Sequence, residues 1–335
     1  MRYAFLSLFF LTGLAACRSE PEPLMPSPTY LFDTDAGPDD VMALAYLLTR
    51  DDVEIEAITL SCGLAHVEQG AVNLSKVVAL SGKGEIPIYI GRPTPLRGER
   101  AFPDEWRRVA DELFGVDLPS TFRPPESQSA ADFLVERLQD ATRPVRILAL
   151  GTLTNLAALH AIGPSLQAID EIVIMGGAFD VPGNVFSTGA FVSPTDSAEW
   201  NIFVDPLAAQ IVFDLGVPLL VVPLDATNEV PIDTTFIDQF HGVEATPLGR
   251  MVGQVLESIR AYAKEGVYYA WDPLAAVALV EPGVVRIVEH AVAVEQELPD
   301  AGTTRRAEAG PVARVAYEAD RDAFQQLFME AFAQE

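Results

Sequence analysis

The chain has 335 residues, 48 acidic against 22 basic side chains for a formal charge of −26, and 49% hydrophobic residues. That length and apolar content fit one large α/β domain or two small ones, and the scarcity of long polar stretches favours one. No basic stripe is present to neutralise phosphates, which excludes nucleic acid and other polyanions as partners.

Arg2 precedes an apolar run from Tyr3 to Leu14, too short to be a comfortable spanning helix, that ends at Leu14-Ala15-Ala16-Cys17. These last four residues resemble the lipobox of bacterial lipoproteins, which implies cleavage before Cys17 and lipidation of its thiol. A cleaved secretory signal with an incidental cysteine is the alternative. Arg18 stands where an inner-membrane retention signal usually has Asp. The resemblance therefore implies a periplasmic or cell-surface protein held to a membrane by its lipid anchor only, on the outer membrane if there is one. The expected organisation is a signal peptide over residues 1–16, a Pro-rich extended tether over 17–28 and a single domain over 29–335. With Cys17 lipidated, Cys62 has no disulfide partner and reads as a buried small hydrophobe.

The domain opens on Tyr30-Leu31-Phe32, the end of a buried strand, and Val41 to Leu48 is apolar almost all round, as suits a helix buried on several sides. Between them lies Asp33-Thr34-Asp35-Ala36-Gly37-Pro38-Asp39-Asp40, with Pro38 near the first helical position, where a missing N–H costs nothing. Four carboxylates thus crowd the carboxyl end of one strand, where ligands bind in open α/β sheets. With no His or Cys nearby, they point to a hard cation, Ca²⁺ or Mg²⁺. A solvated acidic turn with an ordinary helix cap is the plainer reading.

Short apolar runs then alternate with helical patterns, the signature of βαβ units and a mainly parallel sheet flanked by helices. Strands are expected over residues 53–60, 86–90, 145–150, 171–175 and 218–222, and helices over 67–81, 130–139, 154–162 and 206–213. Residues 91–127, rich in Pro, Arg and Gly, are too long for an ordinary connection and read as a lid. Residues 176–197 form a second long loop. The C-terminal third is mostly helical, over 232–240, 248–264 and 273–280, with a peripheral strand pair at 286–294 and 312–317 and a terminal helix over 320–332.

Strand ends in this order carry Asp33 and Asp35, Leu150-Gly151-Thr152-Leu153-Thr154-Asn155, Met175-Gly176-Gly177, Glu199-Trp200-Asn201 and Trp271-Asp272-Pro273. Together these resemble the nucleoside hydrolase family, calcium-dependent enzymes that split the N-glycosidic bond of ribonucleosides. The family's opening pattern, Asp-x-Asp-x-Gly-x-Asp-Asp, is matched in full by residues 33 to 40, and the likeness runs to the C-terminus in the right order. It implies that Asp35, Asp40, Asp272 and the backbone carbonyl of Leu150 hold Ca²⁺, and that Asp35 is also the general base. Asp39, Asn184, Glu199 and Asn201 would grip the ribose, with Met175 beneath it. Acceptors around the sugar help most when positive charge develops on it. The resemblance further implies a nucleoside as partner and a homo-oligomer, dimer or tetramer.

Several residues depart from the broad-specificity pattern. Trp271 stands where many pyrimidine-cleaving members have His, and the purine-specific branch has Trp there and Glu-Trp-Asn at 199–201. A second Trp sandwiches the base in that branch, and Trp106 is the candidate for it. Aromatic faces stabilise a base that is gaining a proton. Gly63-Leu64 replaces Gly-Asn, and His66 is expected to cap the following helix. His160, His241 and His290 read as structural. Phe186 to Ser197 looks like an insertion, which loosens the spacing between Asn184 and Glu199. Two other readings compete: a phosphohydrolase with Asp33 as nucleophile, which lacks a convincing lysine, and a non-catalytic nucleoside-binding lipoprotein of the same fold.

Overall fold

The computed structural model describes residues 27–333. The signal segment, Cys17 and the tether as far as residue 26 lie outside the described residues. No helix among those described is long and apolar enough to cross a membrane.

Nine strands form one sheet: β1 (Thr29–Thr34), β2 (Ile55–Leu60), β3 (Ile88–Ile90), β4 (Val145–Ala149), β5 (Ile169–Met175), β6 (Leu219–Val222), β7 (Val285–Val294), β8 (Thr304–Ala307) and β9 (Val312–Ala319). Their order is β3-β2-β1-β4-β5-β6-β9-β7-β8. All pairings from β3 to β9 are parallel, and only β7 runs against its neighbours. Every residue of β1 is buried, as expected of a central strand covered on both faces.

The helices are α1 (Pro38–Thr49), α2 (Val67–Ser81), α3 (Asp104–Asp111), α4 (Ala130–Gln139), α5 (Trp200–Val204), α6 (Pro206–Phe213), α7 (Leu224–Thr227), α8 (Thr234–Phe240), α9 (Pro247–Ser258), α10 (Arg260–Glu265), α11 (Trp271–Val280) and α12 (Arg321–Ala333). One core joins α1, α2, α9, α11 and α12 to one face of the sheet, with Phe236, Phe240, Phe324, Phe328 and Phe332 packed ring to ring. A second core places α4 and α6 against the other face. The open, mainly parallel α/β sheet and the mostly helical C-terminal third are as expected.

The differences have local causes. Residues 91–127 are not all loop, because Asp104 to Asp111 winds into α3, with two acids in its first turn and the chain redirected after it at Leu113, Phe114 and Gly115, all at positive φ. The helix expected over 154–162 is a 3₁₀ segment at Leu156–Ala161, followed by a second at Gly163–Ala168, since Gly163-Pro164 interrupts before a full α-helix can propagate. The helix expected over 248–264 breaks at Ile259 into α9 and α10. The C-terminal strand pair is real but not separate: β9 hydrogen-bonds in parallel to β6, and a third strand, β8, extends it.

Candidate active site

The sheet order reverses between β1 and β4, and the crevice outside their carboxyl ends is where an α/β sheet of this kind offers a site. Ala36 turns the chain there at φ 61°, supported by its N–H donating to Thr34 Oγ1 at 3.0 Å. Gly37 caps α1, its N–H donating to Asp40 Oδ2 at 2.9 Å, while the Thr34 hydroxyl donates to Asp40 Oδ1. Asp35 is held by the N–H of Leu64, which donates to its Oδ2 at 2.9 Å. Gly63 and Gly151 permit this closeness: a Cβ on Gly63 would fall 2.0 Å from Asp35 Oδ2, and one on Gly151 2.8 Å from Asp35 Cβ. The Gly63-Leu64 departure thus has a use, because Leu64 supplies a backbone N–H that any residue could. Gly63→Ala is expected to push the Asp35 carboxylate aside and lower kcat roughly a hundredfold, with circular dichroism unchanged. Retention of wild-type kcat would show that Asp35 need not stand where it does.

Asp272, at the start of α11, faces the same point. One oxygen from each of Asp39, Asp40 and Asp272 lies within 4.8 Å of the others, and Asp35 lines the same cavity. Burial and mutual repulsion push Asp39 and Asp40 up to about 7, and Asp35 and Asp272 well above the usual carboxylate range. Among the described residues, no Lys, Arg or His lines the surrounding cavity to offset this charge. Such a group of buried oxygens without a counter-charge fits a hard divalent cation. The tightest triad contains Asp39 in place of Asp35, although all four carboxylates line the same wall.

Asp33 is a different kind of residue. Its Oδ1 accepts from the Thr59 hydroxyl and from Asn155 Nδ2 at 2.8 Å, which ties β1 to β2 and to the turn after β4 rather than holding its own turn. It does not line the cavity, so a nucleophilic role is excluded. Burial pushes it up to about 7.

Across the cavity stands Glu199, the N-cap of α5. Its Oε1 accepts from Asn201 N at 3.0 Å, and its Oε2 from Gly177 N and Ile202 N, each at 3.1 Å. It therefore caps its own backbone and still faces the cavity, with room for one more donor. Both amide hydrogens of Asn201 are spent on main-chain carbonyls, Leu150 O at 2.9 Å and Met175 O at 3.2 Å, which leaves its Oδ1 as an acceptor. Asn184 is the converse: its Oδ1 accepts from Trp200 N at 3.0 Å, and its amide remains a donor.

These groups share a cavity of about 510 Å³, a size suited to a small organic molecule. Much of its wall is aromatic. Trp106 comes from α3, Trp200 from α5, and Trp271 from the start of α11. Trp271 packs edge-on against Tyr268, ring centroids 4.8 Å apart, and Tyr268 to Ala270 is pinned by main-chain bonds to residues 230–232. The Tyr268 hydroxyl and Trp271 Nε1 are buried without a hydrogen-bond partner among the described residues.

All the candidates within the described residues, from Asp35 to Asp272, line this one cavity. His66 does not cap α2 through its side chain; it occupies the cap position, but its Nδ1 lies 2.7 Å from Asp111 Oδ2. Cys62 is buried between Thr152 and Thr154, as a small hydrophobe should be. Tyr268, Tyr269 and Phe186 also reach the cavity and escaped notice. For the tyrosines a signal existed in their place just before Trp271-Asp272, whereas nothing local marks Phe186.

A doubly wound sheet with buried acids at its switch point, buried polar groups suited to hydroxyls and an aromatic wall define a hydrolase for a small polar ligand carrying a flat group. The chain belongs to the inosine-uridine preferring nucleoside hydrolase family, whose model matches residues 30–326. It is an N-ribosyl hydrolase. It is 33% identical over 273 residues to the pyrimidine-specific ribonucleoside hydrolase RihA of Salmonella agona (strain SL483), covering 80% of this chain and 84% of that one. Among solved structures it is similar to the plant nucleoside hydrolase PpNRh1 enzyme, with TM-score 0.82 and 29% identity over 92% of this chain and 100% of the other. It is also similar to the purine-preferring ribonucleoside hydrolase from Gardnerella vaginalis, with TM-score 0.78 and 26% identity over 91% and 98%.

Proposed function

We propose that this hydrolase cleaves purine ribonucleosides with the help of Ca²⁺. The observation that carries the reading is the pairing of three buried carboxylates and a half-buried fourth, Asp39, with an aromatic wall, the lining containing no Lys, Arg or His among the described residues. Asp35, Asp40, Asp272 and the carbonyl of Leu150 would hold the ion, with Asp39 beside them. Bound there, Ca²⁺ would acidify water and fix two ribose hydroxyls.

Asp35 takes a proton from the attacking water as oxygen bonds to C1′. The C1′–N bond breaks toward the base, which leaves with the electron pair and takes a proton from solvent, and Asp35 later returns its own proton to solvent. Glu199 and the Oδ1 of Asn201 accept from ribose hydroxyls as positive charge grows on the sugar, while the Asn184 amide donates and Met175 lies beneath the ring. Asp39 accepts from the sugar on the side of α1. Trp106 and Trp271 flank the base and favour its protonation, since their faces are electron-rich.

A pyrimidine preference is the second reading, and the name of the Salmonella relative favours it. The two separate in one assay: kcat/KM for inosine, guanosine and adenosine against uridine and cytidine in Ca²⁺. The proposal expects the purines to lead by at least tenfold, and a lead for uridine or cytidine would overturn it. Trp271→Ala should lower kcat/KM for inosine by one to two orders of magnitude while Ca²⁺ still raises the melting temperature, because the ring is placed against the base and not the ion. We also propose that the protein is carried on a lipid at Cys17 and acts as a homo-oligomer at the periplasmic or cell surface. Globomycin-sensitive processing and labelling by a fatty-acid analogue would test the anchor.

A further inference from the structure

Phe186 stands on the segment between Asn184 and Glu199, away from the acids, and its ring centroid lies 5.7 Å from that of Trp106, tilted by 59°. Trp106 in turn meets Trp200 edge-on at 5.7 Å. The two segments that carry Trp106 and Phe186 both line the cavity, and they meet again where Gly189 comes up to the Glu105 carboxylate, which a Cβ there would reach at 3.0 Å.

The segment is built rather than loose. Thr188 and Phe191 exchange main-chain bonds of 3.1 and 2.8 Å, and the Ser193 hydroxyl donates to Val185 O at 2.7 Å. Gly183 N donates to Asp196 O at 2.9 Å, and the Ser197 hydroxyl meets that of Thr303 at 2.8 Å. Phe191 is packed on Trp200, 5.3 Å between centroids, and anchors the turn.

Phe186 is nonetheless 55% exposed. Three more exposed apolar side chains, Val109, Tyr262 and Val267, line the same cavity. A rim of large apolar groups left in water is a surface made to be covered. The acids and amides lie deep and suit the sugar, so the flat leaving group is what reaches this rim.

We propose that Phe186 is a specificity-determining residue, which with Trp106 forms an aromatic clasp over the outer edge of the base and so favours large bicyclic bases over small ones. The inference rests on the placement of the base against the aromatic wall argued above. It does not require the purine preference itself, since the clasp is read from how much more Phe186 matters for inosine than for uridine, whichever of the two the enzyme cleaves best.

The test compares wild type with Phe186→Ala and Phe186→Tyr on inosine and uridine in saturating Ca²⁺, with inhibition by D-ribose as a control for the inner site. Phe186→Ala should raise KM for inosine roughly tenfold, and for uridine by less, with kcat within about twofold. Phe186→Tyr should restore KM, and the inhibition constant of D-ribose should be unchanged in both. An unchanged KM for inosine in Phe186→Ala, or one raised no more than that for uridine, would overturn the clasp, as would a parallel weakening of D-ribose, which would mean a general loss of structure. A wild type that prefers uridine would refute the purine reading, and the clasp would then stand or fall on whether Phe186→Ala still raises KM for inosine more than for uridine.

Discussion

Asp35→Asn is expected to lower kcat on inosine by about a thousandfold or more, the range of a lost general base, with KM changed far less. The side chain keeps its size, so the bond from Leu64 N and the contacts with Gly63 and Gly151 can persist. What is lost is an acceptor for the proton of water. The substitution also removes one of several like charges that repel within the buried group, so the metal-free protein should melt no lower than wild type. Single-turnover release of hypoxanthine and a thermal melt, measured on the same sample, separate the two effects. Ordinary turnover in this variant would remove Asp35 from the chemistry.

Removal of divalent metal is the second large effect. Chelation should abolish turnover, Ca²⁺ should restore it, and at a hundredfold excess over its dissociation constant the ion should stabilise the fold by about 2.7 kcal/mol, a rise in melting temperature of roughly 5 °C. The pH dependence follows from the direction of the shifts. Asp39 and Asp40 sit at about 7 in the metal-free fold, against about 3.9 for an unfolded Asp. Folded protein therefore holds protons that unfolded protein has lost. Their contribution to stability is present in full below about pH 4 and is lost as pH rises through about 7. Ca²⁺ takes the place of those protons, so the gap between melts with Ca²⁺ and with chelator should widen from pH 5 to pH 8. A gap that narrowed would mean that the acids are not the ion's ligands.

Much of this was legible from residue order. The acidic turn lies between a buried strand and a helix capped by Gly37 and Pro38, and both elements form as their periodicity requires. The motifs at strand ends converge because parallel strands deliver their carboxyl ends to one rim. Other features depend on contacts distant in the chain. Asp33 looks like its neighbours, yet Thr59 and Asn155 draw it into the scaffold. His66 precedes a helix as a cap would, but Asp111 on α3 claims its ring. Glu199 reads in the sequence as a sugar ligand, but its three N–H donors together with its place on the cavity wall make it a helix cap as well as a wall residue. Phe186 could not be noticed at all without knowing that α3 brings Trp106 to meet it.

The account turns on the claim that the carboxylates at the end of β1 hold a metal ion together with Asp272, which lies 232 positions beyond Asp40 in the chain. Calorimetric titration of Ca²⁺ into metal-free protein at pH 8 tests it most directly, with wild type and Asp272→Asn side by side. One ion per chain in wild type, with affinity reduced by at least a hundredfold in Asp272→Asn, is the predicted result. No binding in wild type, or equal binding in both proteins, would contradict it.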